Sequence, residues 1–535
     1  MSLDVLFVTP DSSLDAYQAL ATTYSAIEPP TWSLLLAQSC RARGFGSAIL
    51  DCDAQRLPLH EAVAAIEAHD PRLVVFVIYG QNPNSGTTGM IGGTRLAAAL
   101  KAANPRRPVA FVGSHTSALP HEVLAHDFVD LVLPGEGVYA LHNLLASDLD
   151  HDLPKVRGIG FKPADGAGRR VPVFNQPERT VPRDRMDLDL PGYAWDLLPY
   201  ARTPLDLYRA HFWHANFDHA RRTPFAAMYT SLGCNFACSF CMINVVNRVD
   251  HRDGVDAADS RGMRFWSPDL VVDQMEQLAG MGVRTLRISD EMFFLNRRYY
   301  VPLLTEIARR DLGLSMWTYS RIDTVWEQAL ELFTSAGVEW LALGIEAGNQ
   351  RIRHEVSKGS FAEIDIRDVC RTVRDAGINV ISNYIFGLEH DTLETMQETL
   401  DLALELNTEM ANMYPCQALP GSPLHTAARR EGRKLPDTYA GYAFLSYDSE
   451  PLATDELTAA QVLEFRDRAW RTYFTNPAYL RLVEDRFGAR QRANVEAMAE
   501  VRLHRRLLGD PPPPVAVPED RPRVARPVGS PGGAP

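Results

Sequence analysis

The chain has 535 residues, too many for one hydrophobic core, and its 46% hydrophobic and 23% charged residues are the balance of an ordinary globular protein. A formal net charge of −13 argues against a general nucleic-acid binder, which needs clustered Lys and Arg to neutralise phosphates. No apolar run approaches the roughly 20 residues that span a bilayer, and a first segment with Asp4 and Asp11 but no basic stretch reads as a strand, so we expect a cytoplasmic protein with neither membrane nor nucleic-acid partner.

Residues 1–145 alternate strand and helix signals at the short spacing of a doubly wound sheet. Apolar runs at 3–9, 47–52, 73–80, 108–113 and 130–137 predict five strands, with helices through Trp32–Cys40, 61–69 and 95–103 between them. Runs this apolar imply a parallel sheet covered on both faces. Residues 146–222 are poorer in periodicity and rich in Pro, Asp and Arg, and read as a linker wrapping between domains. A second βα series fills 223–425, with strands at 226–232, 283–289, 314–320, 338–345, 378–386 and 408–415. Its helices, at 269–282, 297–310, 324–337, 364–377 and 391–406, stop in several cases at a capping glycine, as at Gly282, Gly337 and Gly377. Six strands and five intervening helices suit a partial (β/α)6 barrel rather than a closed eightfold one. Residues 426–508 read as a helical region, and the Pro-rich tail 509–535 as disordered. The predicted fold class is therefore α/β: a Rossmann-like doubly wound domain, a partial barrel and a helical C-terminal region.

Seven cysteines are an odd set for a disulfide framework, and three of them, Cys234, Cys238 and Cys241, cluster just after the first barrel strand with the spacing C-x₃-C-x₂-C. Three thiolates can hold three irons of a cubane cluster, which leaves the fourth iron open for a substrate to chelate, whereas electron-transfer clusters use four cysteines. A zinc knuckle is the competing reading, weakened because no fourth Cys or His follows within a few residues.

With Phe240 as the aromatic before the third cysteine, the motif resembles that of the radical S-adenosylmethionine (SAM) superfamily, and the resemblance extends across 226–425. It implies that Cys234, Cys238 and Cys241 carry a catalytic [4Fe–4S] cluster and that SAM is held at the later strand ends. Asp290 and Glu291 would meet the SAM amino group, although the paired glycines usual there are missing. Arg321 would pair with the SAM carboxylate. Glu346, in Gly344-Ile345-Glu346-Ala347-Gly348, would accept ribose hydroxyls, and Phe240, Ile385 and Gly387 would lie near adenine.

The N-terminal domain before such a barrel resembles the cobalamin-binding class of these enzymes. The residues that carry the resemblance follow the third, fourth and fifth strands: Gly80, Gln81 and Asn82; Ser114, His115 and Thr116; Gly135, Glu136 and Gly137. The stretch after the first strand, TPDSSLDAYQAL, lacks the cobalt-ligating His of the D-x-H-x-x-G motif, so the lower face of a bound corrin is expected to lack that ligand, and His115 reads as a contact to the corrin edge. Methylthiotransferases also place an α/β domain first but need three cysteines there, whereas this domain has only Cys40 and Cys52, both at core positions. The segment from Tyr208 to His219 has a His spacing that fits no clean metal geometry and reads as packing or substrate-facing.

The resemblance implies a C-methyltransferase acting on an unactivated carbon of a small, natural-product-type molecule. It would use methylcobalamin and a 5′-deoxyadenosyl radical, with ferredoxin or flavodoxin as external electron donor. The alternatives are an oxidative cyclisation or rearrangement with the same cofactors, and a non-catalytic corrinoid or iron–sulfur carrier.

Overall fold

A computed structural model of the chain describes residues 3–79, 86–163, 170–254, 256–356 and 360–514. The first sheet holds β1 (Val5–Thr9), β2 (Ser47–Asp51), β3 (Leu73–Ile78), β4 (Val109–Gly113) and β5 (Leu131–Leu133), all parallel, in the order β2-β1-β3-β4-β5. This is the doubly wound order that reverses between β1 and β3, and open sheets bind ligands outside the strand C-termini at such a point. The central strands are buried along their length because helices cover both faces. Cys40 and Cys52 are both buried in this domain, as their apolar surroundings imply.

The stretch expected to be a plain linker does more. It adds β6 (Gly160–Phe161) and β7 (Val173–Phe174) antiparallel to the β5 edge, so the first sheet has seven strands. The reason is local: β5 would otherwise be a bare edge, and the returning chain covers it.

The second sheet opens with β8 (Phe225–Met228). The run expected as one strand through 232 breaks after Met228, and β9 (Ser231–Leu232) pairs antiparallel with β10 (Arg264–Phe265) in a separate two-stranded ribbon. The break has a cause. Asp290 accepts from the Thr230 N–H at 2.6 Å and from the Thr230 and Ser231 hydroxyls at 2.7 and 2.5 Å, pulling the chain out of the ladder. The sheet continues with β11 (Thr285–Ile288), β12 (Ser315–Arg321), β13 (Val338–Glu346), β14 (Asn379–Phe386) and β15 (Met410–Pro415), all parallel, in the order β15-β14-β13-β12-β11-β8. This is the expected partial barrel. The helix expected over 324–337 is shorter, at Leu330–Ser335, after two 3₁₀ turns.

Side chains from outside the sheet bond the backbone beside both of its outer strands. At β8, the Tyr193 hydroxyl bonds both the N–H and the C=O of Tyr229 at 2.7 and 3.1 Å. Along β15, Arg466 and Tyr473, on the C-terminal helix Ala459–Phe474, bond the carbonyls of Met413 and Thr408 at 2.7 and 2.6 Å. This C-terminal helix thus packs beside the last strand and bonds carbonyls in it and just before it. The N-terminal end of the barrel is closed by an aromatic plug in which Trp213 packs on Trp317 and Trp340, and Phe487 stacks on Trp340. Among the described residues no helix is long and apolar enough to cross a membrane.

Candidate cofactor site

The cysteine loop leaves β9 through Gly233, whose φ of +87° and whose Cβ position, 2.2 Å from the Gly262 carbonyl, admit only glycine. Cys234 is pinned by its backbone: its N–H donates to Asn244 Oδ1 at 2.8 Å and its C=O accepts from Gly262 N–H at 3.1 Å. Cys234 is buried, and burial pushes its thiol up to about 12, so iron must displace the proton to bind it. Cys238 and Cys241 are half-buried on the same turn, joined by a Cys241 N–H to Cys238 C=O bond of 3.2 Å. Among the described residues no three His, Cys, Asp or Glu side chains already stand at ion-holding distance. The three thiols nevertheless share one short loop beyond the C-terminal end of the first barrel strand.

The strand ends around this loop divide into groups already engaged and groups that are not. Asp290 is wholly occupied by Thr230 and Ser231, which shapes the loop entry instead of presenting a carboxylate to a ligand. Its neighbour Glu291 has a buried Oε1 with no hydrogen-bond partner, and burial pushes its carboxyl up to about 8. Arg321 is also engaged: its Nε donates to Asp323 Oδ1 at 2.5 Å, and its guanidinium lies 3.6 Å over the ring of Phe236 on the cysteine loop. Pairing with a SAM carboxylate would require it to share or leave Asp323.

Glu346 ends β13 at a register shift with φ of +65°, a left-handed conformation uncommon for a non-glycine residue. Burial pushes its carboxyl up to about 7, and the nearby Arg321 pulls in the opposite direction. Gly344 makes room for it, since a Cβ there would lie 2.6 Å from Glu346 Oε1. Phe240 packs in one apolar cluster with Ile385, Ala347 and Leu388, which brings the cysteine-motif aromatic to the ends of β13 and β14. Asp391 bonds the N–H groups of Gly387 and Leu388, each at 3.0 Å, and so fixes the turn after β14.

On the first domain, Gly80, Gln81 and Asn82 lie outside the described residues. Ser114, His115 and Thr116 open a buried helical turn after β4. His115 Nδ1 is 3.0 Å from Thr87 Oγ1, its Nε2 is 3.5 Å from Glu122 Oε1, and Thr116 Oγ1 is buried without a partner. Gly135 and Gly137 adopt φ of +78° and +77°, but Glu136 between them is taken up by an ion pair with Arg264 at 2.6 Å. The buried polar atoms after β4 and the glycine turn after β5 suit a polar ligand edge at the C-terminal face.

The two domains meet at these same ends. Arg248, just past the cysteine loop, donates to the Ser117 carbonyl at 3.1 Å, and the His121 N–H donates to Asp253 at 3.0 Å. Tyr79, at the end of β3, stacks on Trp32 at 4.7 Å and meets Tyr229 edge-on at 6.3 Å. Sequence reasoning missed the polar interior of the barrel, where Arg287 pairs with Glu28 and His211 Nε2 lies 3.3 Å from the same carboxylate. The available signal was an arginine inside a strand otherwise reading as fully buried. The segment around His211 packs against Trp317 and gathers no metal ligands among the described residues.

Comparison with known proteins agrees with this layout. Residues 17–145 match the B12 binding domain and residues 228–403 the Radical SAM superfamily. An uncharacterized methyltransferase of Pyrococcus horikoshii is 22% identical over 481 residues, 89% of this chain and 94% of its own length. The anaerobic magnesium-protoporphyrin IX monomethyl ester cyclase of Rubrivivax gelatinosus is 25% identical over 89% of this chain and 78% of its own. Among solved structures, the radical SAM methyltransferase TsrM of Kitasatospora setae superposes with a TM-score of 0.63 at 18% identity, over 93% of this chain and 98% of that one. The cobalamin-dependent SAM radical enzyme OxsB superposes with 0.62 at 13% identity, over 92% and 72%. A B12-binding sheet followed by a radical SAM barrel, with their ligand edges in contact, places the chain in the family of cobalamin-binding radical SAM enzymes, whose cofactors are a [4Fe–4S] cluster, SAM and cobalamin.

Proposed function

We propose that this enzyme methylates a carbon atom of a small-molecule substrate. The observation that carries the reading is the juxtaposition just described: loops after β4 and β5 of the first sheet touch the segment that leaves the cysteine loop of the second. When bound, the cluster with SAM supplies hydrogen abstraction from carbon, and the corrin supplies a transferable methyl group. The chain's own contribution is placement. Asp290 shapes the approach to Cys234, Phe240 and Ile385 offer an apolar wall for the SAM adenine, and Glu346, the last residue of β13, would accept ribose hydroxyls. Glu291 Oε1, buried and unbonded, is the strand-end acceptor open to the SAM amino group. The full-length likeness to a methyltransferase supports the reading, as does the tryptophan 2-C-methyltransferase of Streptomyces laurentii, 27% identical over 40% of this chain. An electron donor of the ferredoxin or flavodoxin type would serve the cluster.

A second reading has its own support. The cyclase relative spans 89% of this chain, so an oxidative cyclisation with the same cofactors is the alternative. The by-products separate the two. Methylation that uses SAM once at cobalt and once at the cluster yields S-adenosylhomocysteine and 5′-deoxyadenosine in equal amounts, and SAM with a deuterated methyl group labels the product. Cyclisation yields 5′-deoxyadenosine without stoichiometric S-adenosylhomocysteine and without label.

A further inference from the structure

Glu136 sits in the glycine turn after β5, where the family resemblance implies a corrin contact, yet its carboxylate is fully engaged elsewhere. One oxygen accepts from the Val181 N–H, and the other pairs with Arg264 Nη1 at 2.6 Å. From Arg264 the bonds run on toward the cluster loop. Arg264 Nη2 donates to Asn247 Oδ1 at 2.8 Å, Asn247 Nδ2 donates to Asn244 Oδ1 at 3.3 Å, and the same Asn244 oxygen accepts the backbone N–H of Cys234 at 2.8 Å. Glu136, Arg264 and Asn244 are buried, at 2%, 8% and 2% exposure. The two bonds of Arg264 are charge-assisted and, in a low-dielectric interior, strong and directional. The amide link from Asn247 to Asn244 is longer, and its donor is shared with the Ser260 and Gly262 carbonyls. The turn itself is packed against the loop's exit: a Cβ on Gly135 would come within 2.8 Å of the Arg248 carbonyl.

We infer that Glu136 is a positioning residue for the iron–sulfur cluster, the first link of a hydrogen-bond chain through Arg264, Asn247 and Asn244 to Cys234, and that this chain couples occupancy of the corrin site to retention of the cluster. Partners behind a metal ligand orient it, and their loss typically costs about 10–100-fold in metal affinity. A coupling of this kind is reciprocal: whatever one site gains from the other's ligand, the other gains in return.

The test uses the full chain, reconstituted anaerobically with iron and sulfide, with and without hydroxocobalamin. Iron loss to a chelator and the EPR spectrum of the reduced cluster are measured in wild type, Glu136→Gln and Asn247→Ser, with Glu405→Gln, which breaks the exposed pair with Arg367, as control. In both test variants iron should leave roughly tenfold faster with an altered cluster spectrum, while the control matches wild type. Hydroxocobalamin should slow iron loss in wild type and lose that effect in Glu136→Gln. Should Glu136→Gln fold poorly, Asn247→Ser keeps every ion pair and decides the matter. Wild-type iron retention in Asn247→Ser overturns the inference. Weakened cobalamin binding with an unchanged cluster in Glu136→Gln would make Glu136 a corrin contact, and a wild type indifferent to hydroxocobalamin removes the coupling.

Discussion

Arg287 of β11 is held inside the barrel by Glu28, both of whose carboxylate oxygens accept from Nη1, at 2.6 and 2.7 Å. The other amino group donates to the Tyr319 hydroxyl at 3.1 Å, and the guanidinium stacks 4.8 Å from the Trp317 ring. Glu28 belongs to the N-terminal part of the chain, 259 residues earlier, so the barrel interior is completed by a residue from before it. Such a pair costs much to desolvate and costs more to break.

Glu28→Gln should therefore destabilise the protein by about 3–5 kcal/mol, because Arg287 is left buried with its charge unpaired. Glu28→Gln combined with Arg287→Met should recover most of that loss. Chemical denaturation of the two single variants and the double variant checks both. Additive losses would show that the pair is not coupled.

The cysteine loop makes a sharper prediction. Reconstituted protein should carry about four irons at one site. Changing Cys234, Cys238 or Cys241 to Ala should abolish the visible charge-transfer absorption and the cleavage of SAM to 5′-deoxyadenosine. Cys370→Ala, a buried thiol on the helix Ile366–Asp375, should do neither. A triple variant that still cleaves SAM would sink the assignment.

Glu346 links stability to pH. Burial raises its carboxyl from the ordinary value near 4.5 to about 7, so between those values the folded chain keeps a proton that the unfolded chain releases. Its contribution is fully present below about 4.5 and is lost as pH rises through 7. Glu346→Gln cannot ionise. Relative to wild type it should gain stability as pH rises from 5 to 8, by up to about 3 kcal/mol, while losing SAM affinity. Melting temperatures across that range report the first effect and calorimetric SAM titration the second. A pH-independent difference between the two proteins would contradict it.

Gly348 has a packing duty. A Cβ there would lie 2.6 Å from the Glu398 carbonyl on the helix Leu393–Leu406, and its N–H donates to Thr399 Oγ1 at 2.9 Å. Gly348→Ala should cost about 1–3 kcal/mol by forcing that helix from the end of β13. The thermal midpoint measures it, and an unchanged midpoint would mean that the helix yields freely.

Much of this architecture was legible in the residues alone. Strands such as β3 and β14 announce themselves by unbroken apolar runs, and the three cysteines by their spacing, because side-chain periodicity and loop motifs are local properties of the chain. What the tertiary structure alone decided is which polar groups at the strand ends are engaged and which remain open. Asp290 and Glu291 are adjacent and chemically alike. The first is taken by Thr230 and Ser231, 60 and 59 residues away, and the second keeps a buried oxygen unbonded. Glu136 stands where a cofactor contact is expected, yet it is claimed by Arg264, 128 residues later. Nothing in a local pattern encodes such pairings. They arise because burying a polar group without a partner costs several times what a formed bond returns, so the fold brings distant partners together.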